Sequence, residues 1–224
     1  MKIGVLLPTF RRGPADAFDF AARAAGAQLD GVFAYDHLWP MGSPERPALA
    51  PFAVLAAVAR RHRGLVVGPL VARVGIVGTT HLVEQFTTLE LLAPGRVIAA
   101  LGTGDRLSAA ENLAYGVDYG STSQRRRLLE AAGASLIGRM PLWIGGGAHE
   151  TNVLARSLGA TINLWGAAPE IVGEAALTGP VNWAGPVPDD LPGLLDALRD
   201  ARATWAVFTP DVDLTTLQQW RHSQ

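Results

Sequence analysis

Apolar positions along the chain change period again and again. Short runs of β-branched and other apolar residues, bounded by Gly, Pro, Asn or Asp, alternate with stretches in which apolar residues return every three or four positions. The first pattern predicts buried strands and the second amphipathic helices. The strand runs are KIGVLLP, GVFAYDH, LVVGPLV, VIAALGT, PLWIGGG, ATINLWG, PVNWAG and WAVFTP, eight in all. Strands joined through helical crossovers pair in parallel.

The helical stretches carry recognisable ends. Gly13-Pro14 opens the first, followed by Phe18, Ala21, Ala22 and Ala25 at helical spacing. Thr79 or Thr80 is a candidate cap for the third, whose Leu82, Phe86 and Leu89 share a face. Residues 108–111, SAAE, read as a capping box before a short extra helix, and Ser123 as the cap of the Arg-rich helix after it. A helix over 149–158 stops at Gly159, Pro192 opens the next, and Asp213 caps the last. Eight strand–helix units in 224 residues predict a minimal (β/α)₈ TIM barrel, one domain over 1–224. An open doubly wound sheet is the alternative, because periodicity does not show closure.

Composition narrows the function. A formal net charge of −1 leaves no broad basic surface for nucleic acid or an anionic bilayer. The longest apolar stretch, ALAPFAVLAAVA, is too short to span a bilayer, and MKIGVLLPTFRR reads as a first strand and not as a secretory leader, so a soluble cytoplasmic protein is expected. There is no cysteine, which removes thiolate nucleophiles and Cys-bound zinc. Lys2 is the only lysine and sits at the start of a strand, which argues against Schiff-base chemistry. No histidine pair has helical metal-ligand spacing, so no protein-bound metal is expected.

The candidate chemistry lies at strand ends. In GVFAYDHLWP, Val32, Ala34 and Asp36 share one face while Phe33, Tyr35 and His37 share the other. With the small residues turned inward, Asp36 falls at the inner mouth of a barrel and His37 at the start of the loop, on the face where barrel enzymes keep their active sites. LGTGD (101–105) ends the fourth strand with two glycines and a carboxylate, and IGGG (144–147) runs from the fifth strand into a helix. Such turns admit a phosphate, although they are also common for steric reasons alone. Asp36 has a plainer reading as a loop cap and His37 as a surface histidine beside Trp39; His62, His81 and His222 read as helix-end or tail residues, and His149 as a helix start or a neighbour of a phosphate. QRRRLLE reads as a solvated helical face. Trp143, Trp165 and Trp183 are either a ligand wall or barrel packing.

Four segments, DGVFAYDHLWP, VGPLVARVGIVGTTHLVEQFTTLELLAPGRVIAALGTGD, SAAENLAYGVDYGSTSQRRRLLE and PLWIGGGAHETNVLARSLGA, together resemble the bacterial luciferase-like superfamily of flavin and deazaflavin oxidoreductases over roughly residues 1–167. LGTGD followed by ENLAYG is most similar to the branch that uses coenzyme F420. The resemblance implies a barrel holding a tricyclic ring across its C-terminal mouth, with Asp36 and His37 beside the reactive face. It implies a non-proline cis peptide at Leu70–Val71, Asp105 closing the fourth strand, Gly102, Thr103 and Gly104 against the ring, and Gly145, Gly146 and Gly147 at the phosphate end.

It also implies hydride transfer between F420 and a small organic substrate, with His37 as general acid or base and Asp36 or Asp105 orienting it. An FMN-dependent monooxygenase and a trimmed non-catalytic barrel are the alternatives, and a homodimer is implied by the resemblance alone. The chain departs from the family pattern in two places. RRRLLEAAGASLIGRMPLWIGGG passes almost directly from helix to fifth strand where relatives carry a long insertion, and GTTHL replaces an Arg-x-Pro.

Overall fold

The computed structural model describes residues 1–40 and 42–223. Strand β1 (Lys2–Leu6) leads through α1 (Ala15–Gly26) to β2 (Gly31–Ala34), α2 (Pro51–Arg61) and β3 (Val66–Pro69). A two-residue β4 (Ala72–Arg73), α3 (Thr79–Leu92) and β5 (Ala99–Gly102) follow, then a 3₁₀ turn (Arg106–Ser108), α4 (Ala109–Ala114) and α5 (Thr122–Leu136). The remainder is β6 (Leu142–Gly146), α6 (His149–Ser157), β7 (Thr161–Trp165), α7 (Pro169–Ala176), β8 (Val181–Gly185), α8 (Leu191–Asp200), β9 (Trp205–Phe208) and α9 (Leu214–His222). None of the described helices is long and apolar enough to cross a membrane.

All strand pairs are parallel, in the order β3-β2-β1-β9-β8-β7-β6-β5-β4. β3 and β4 are halves of one stave, separated by a cis peptide at Leu70–Val71. β3 pairs with β2, and β4 with β5. Closure is completed at Val67, whose N–H donates to the Arg96 carbonyl (2.8 Å) and whose carbonyl accepts from the Ile98 N–H (3.0 Å). Among the described residues the strands therefore make eight staves of a closed barrel, and the open sheet is excluded. Each of the eight strand runs read from the sequence contains one of these staves, except that LVVGPLV covers β3 alone and stops before β4.

Side-chain alternation separates two cores. Ile3, Val5, Val32, Ala34, Val67 and Leu101 belong to the layer under the helices. Leu6, Phe33, Ile98, Ala100, Trp143 and Trp205 form the second cluster, inside the barrel. Phe33 stacks on Trp143 at 5.2 Å and meets Trp205 edge-on at 5.7 Å. This inverts the expected facing of β2, where the small residues were to point inward. The physical reason lies on β1 and in β2's own first residue: a Cβ at Gly4 would lie 2.8 Å from Phe33 Cε2, and one at Gly31 would lie 3.2 Å from Trp205. Glycines on adjacent staves leave the space that the aromatics fill, as interior packing density requires.

Several helix ends also differ from expectation. α3 starts after Gly78, and neither Thr79 nor Thr80 caps it. Ser121, not Ser123, caps α5 in a full capping box with Gln124. Ser108 makes no side-chain cap bond; Asp105 accepts from the Ser108 N–H instead. In α1 the buried face is Ala17, Phe20, Ala21 and Ala24, leaving Ala22 exposed. Pro192 is the second residue of α8, which Asp190 caps, and Asp213 caps α9 as expected. Leu82, Phe86 and Leu89 are the buried face of α3. Between α5 and β6 only residues 137–141 intervene, which confirms the direct passage read from the sequence.

Candidate active site

At the C-terminal mouth, β2 and β4 deliver the polar cluster. His37 Nδ1 lies 3.0 Å from Glu111 Oε2 and 3.2 Å from Oε1. The Leu38 N–H donates to Glu111 Oε1 (3.1 Å), and Arg73 Nη2 lies 2.7 Å from Oε2. Arg73 also donates its backbone N–H to Asp36 Oδ2 (2.9 Å) and its Nε–H to the Asp36 carbonyl (3.1 Å). Glu111 is 1% exposed and Arg73 4%, so the pair is out of water.

Burial alone pushes the Glu111 carboxyl up. The hydrogen bond and charge of His37, the Arg73 guanidinium and the Trp39 backbone N–H outweigh it and hold the group below its ordinary value. A carboxylate only accepts, so Nδ1 carries the proton and Nε2 is the remaining ring nitrogen, a lone-pair acceptor when the ring is neutral. Asp36 shifts the other way. Burial raises it, and the Arg73 N–H, the Arg73 charge and the His37 charge offset only part of that.

A cavity of about 530 Å³ opens over the mouth. Leu70, Val71, Gly102 and Gly145 form an apolar floor. A Cβ at Gly102 would lie 2.5 Å from Val71 Cγ2, so only glycine lets Val71 hold its place there, whereas one at Gly145 would make an ordinary 3.4 Å contact with Val71 Cγ1. Gly104 holds a φ of +67°, turning the chain along the edge. Phe10 and Tyr35 stack at 4.9 Å on one wall, and Trp165, 51% exposed, borders the opposite side. Burial, then the Asp211 charge, leaves the Tyr35 hydroxyl pushed up to about 12, so it remains a donor throughout the neutral range. The volume and flat floor fit a planar tricyclic ring.

The structure brings together most of the residues singled out in the sequence. His37, Leu70, Val71, Gly102, Thr103 and Gly104 line the cavity, as do Asp105, Gly145 and Gly146. Asp36 does not; it lines a neighbouring cavity behind the imidazole, a consequence of the inverted alternation in β2. Gly147 is exposed and outside the wall. Asp105 does not reach His37. Its carboxylate accepts from Ser108 N–H (3.1 Å) and Oγ–H (3.2 Å), while its carbonyl accepts from the Tyr119 hydroxyl.

The carboxylate on the imidazole is thus Glu111, where Asp36 or Asp105 was expected. Two signals marked it: a glutamate within the ENLAYG segment, and Arg73, a lone cation inside the apolar run LVARVGIV. A charge placed in a strand core demands a buried partner. The tryptophans divide between the two readings: Trp143 and Trp183 are 3% exposed packing residues, and Trp165 alone stands at the cavity.

A closed parallel barrel with a flat-floored mouth, a non-proline cis peptide behind it and an anchored imidazole at its edge defines a luciferase-like barrel. Residues 1–136 match the model of the luciferase-like monooxygenase family, and the chain belongs to that family. An F420-dependent glucose-6-phosphate dehydrogenase of Intrasporangium calvum is 33% identical over 135 residues, 58% of this chain and 40% of the relative. One from Amycolatopsis mediterranei is 31% identical over 109 residues, 48% of this chain and 33% of the relative. The matched segments thus span two fifths or less of those relatives. Among solved structures, an F420-dependent secondary alcohol dehydrogenase in complex with an F420-acetone adduct shares the fold at a TM-score of 0.80 and 14% identity, covering 99% of this chain and 97% of that one. The F420-dependent tetrahydromethanopterin reductase of Methanopyrus kandleri does so at 0.71 and 12%, covering 98% and 96%.

Proposed function

We propose that this chain is an F420-dependent oxidoreductase transferring a hydride between the deazaflavin and a small organic substrate. The observation that carries the reading is the imidazole of His37 at the cavity edge, fixed through Nδ1 on a buried, Arg-paired glutamate. When bound, the deazaflavin supplies the two-electron hydride acceptor or donor. The protein supplies the rest. Leu70, Val71, Gly102 and Gly145 support the flat ring, with Thr103 and Gly104 along its edge.

Gly145 and Gly146 of the cavity wall, with the N-terminus of α6, which has no side-chain cap, would take the phosphate end. His37 Nε2 takes the substrate's hydroxyl proton in one direction and returns it in the other. Glu111 keeps the ring in the tautomer this requires, and Arg73 keeps Glu111 ionised. Asp36 acts on Arg73 and not on the substrate.

The test is a titration of the purified protein with F420 and with FMN, followed by fluorescence and by a spectrum after desalting. Saturable F420 binding at micromolar protein is expected, with weaker or no retention of FMN. Preference for FMN would make the protein a flavin monooxygenase, and binding of neither would remove the reading.

A further inference from the structure

Two asparagines stand side by side inside the barrel. Asn163 on β7 and Asn182 on β8 are register partners, and they alternate with Ile162, Leu164, Val181 and Trp183, which belong to the layer under the helices, so both amides point inward. Asn163 is 4% exposed and Asn182 is fully buried. Asn163 Nδ2 donates to Asn182 Oδ1, while Asn182 Nδ2 has no partner among the described residues. An orphaned buried donor weakens a fold, and two apolar side chains of the same shape would pack there without that penalty. Stability does not explain the pair.

Asn163 also borders the mouth cavity. It is the register partner of Gly145, so it extends the floor of Leu70, Val71, Gly102 and Gly145 by one stave, on the side away from His37. Most other polar groups of the wall are engaged: Arg73 by Glu111 and the Asp36 carbonyl, Asp105 by Ser108, and the Thr103 hydroxyl by the Gly104 carbonyl. Tyr35 and His37 follow β2, across the floor. On the β7 side, Trp165 has a donor only. Asn163 keeps a carbonyl oxygen and a second N–H, one acceptor and one donor on a single planar group that Asn182 holds in place. The matching partner is a flat edge carrying a carbonyl and an N–H side by side.

We propose that Asn163, oriented by Asn182, reads the cofactor: its amide pairs with the imide edge of the ring and so fixes which end of the ring lies at β7. The inference rests on the F420 reading above and deepens it. Asn163 is the contact. Asn182 is a positioning residue, and its unpaired N–H is the penalty for holding its neighbour.

Fluorescence titration of the cofactor-free protein with F420, and with F420 methylated on the imide nitrogen, tests this without turnover. Wild type is expected to bind F420 about tenfold more tightly than the methylated ring, the scale of one or two hydrogen bonds. The double variant Asn163→Leu/Asn182→Leu is expected to lose that preference, to bind F420 about tenfold more weakly and to melt no lower than wild type. Asn182→Leu alone leaves Asn163 present but unheld, and should narrow the preference without abolishing it. Equal wild-type affinity for the two rings overturns the proposal, whether or not the double variant folds. So does a double variant that keeps the preference, or one that melts lower yet binds F420 as wild type does, which would assign the pair to the fold. Failure of the wild type to bind F420 at all sinks the oxidoreductase assignment and is distinct from each of those results.

Discussion

Arg73 and Glu111, from β4 and α4, meet at 2.7 Å with side chains 5% and 1% exposed, and this ion pair is what fixes His37. Taking one charge away leaves the other desolvated and unpaired, which costs about 3–5 kcal/mol. Glu111→Ala is therefore expected to lose that much stability in urea denaturation, and Glu111→Gln less. A loss within about 0.5 kcal/mol for the alanine variant, the range of ordinary surface changes, would show that the pair is not closed to water.

His37→Asn keeps a polar group of similar reach but no titrating base. A drop in kcat of roughly 10²–10⁴ is expected, the usual contribution of a general acid or base, with F420 affinity retained. Glu111→Gln removes the carboxylate that Arg73 pairs with and that accepts from Nδ1, so the ring loses its fixed orientation and kcat should fall with F420 affinity retained. Initial rates for both variants check this, and an Asn variant with wild-type kcat would take His37 out of the chemistry.

The two acids have opposite pH signatures. Glu111 is held below its ordinary value in the native state, so its stabilisation is present above the unfolded-state value of 4.5 and is lost as pH falls through the depressed one. Asp36 is raised, chiefly by burial, so its ionisation penalises the fold above the raised value and the penalty disappears below 3.8. Asp36→Asn, whose amide oxygen can still accept from the Arg73 N–H, should be more stable than wild type at neutral pH. That advantage should vanish in acid, and thermal melts at several pH values would show whether it does.

Gly102→Ala places a methyl where Val71 Cγ2 stands 2.5 Å away. Overpacking of this kind costs about 1–3 kcal/mol, and the shift of Val71 tilts the floor into the cavity. Weaker F420 binding together with a lower Tm is the expected result; unchanged binding would show that the floor does not touch the ring.

Phe33 is fully buried beneath the site, between Trp143 and Trp205. Phe33→Ala should cost about 3–5 kcal/mol in denaturant, the usual range for removing a core phenylalanine. Any change in cofactor preference would contradict the separation of barrel interior from mouth.

The strands were legible because buried parallel strands read as apolar runs, and the turns between them as Gly and Pro clusters. Gly102 and Gly145 were likewise placed by their position at strand ends, and Leu70 and Val71 by the family resemblance. What failed was local. The facing of β2 was misread because inward Phe33 depends on Gly4, a residue on another strand, and periodicity within one strand says nothing of its neighbour's volume. Ser123 looks as good a cap as Ser121 until the reciprocal bond to Gln124 is seen. Glu111 escaped because it joins His37 across 74 positions of chain, and its pattern matched a capping box that does not form.

Asp105 has a part unlike the one expected of it. Its carboxylate grips Ser108, and the same short arc continues without interruption to Glu111. The rim that lines the cavity and the buried acid that steadies the imidazole are consequently one piece of chain. Neither can be displaced without dragging the other, so occupancy at the edge and alignment at the base are mechanically linked.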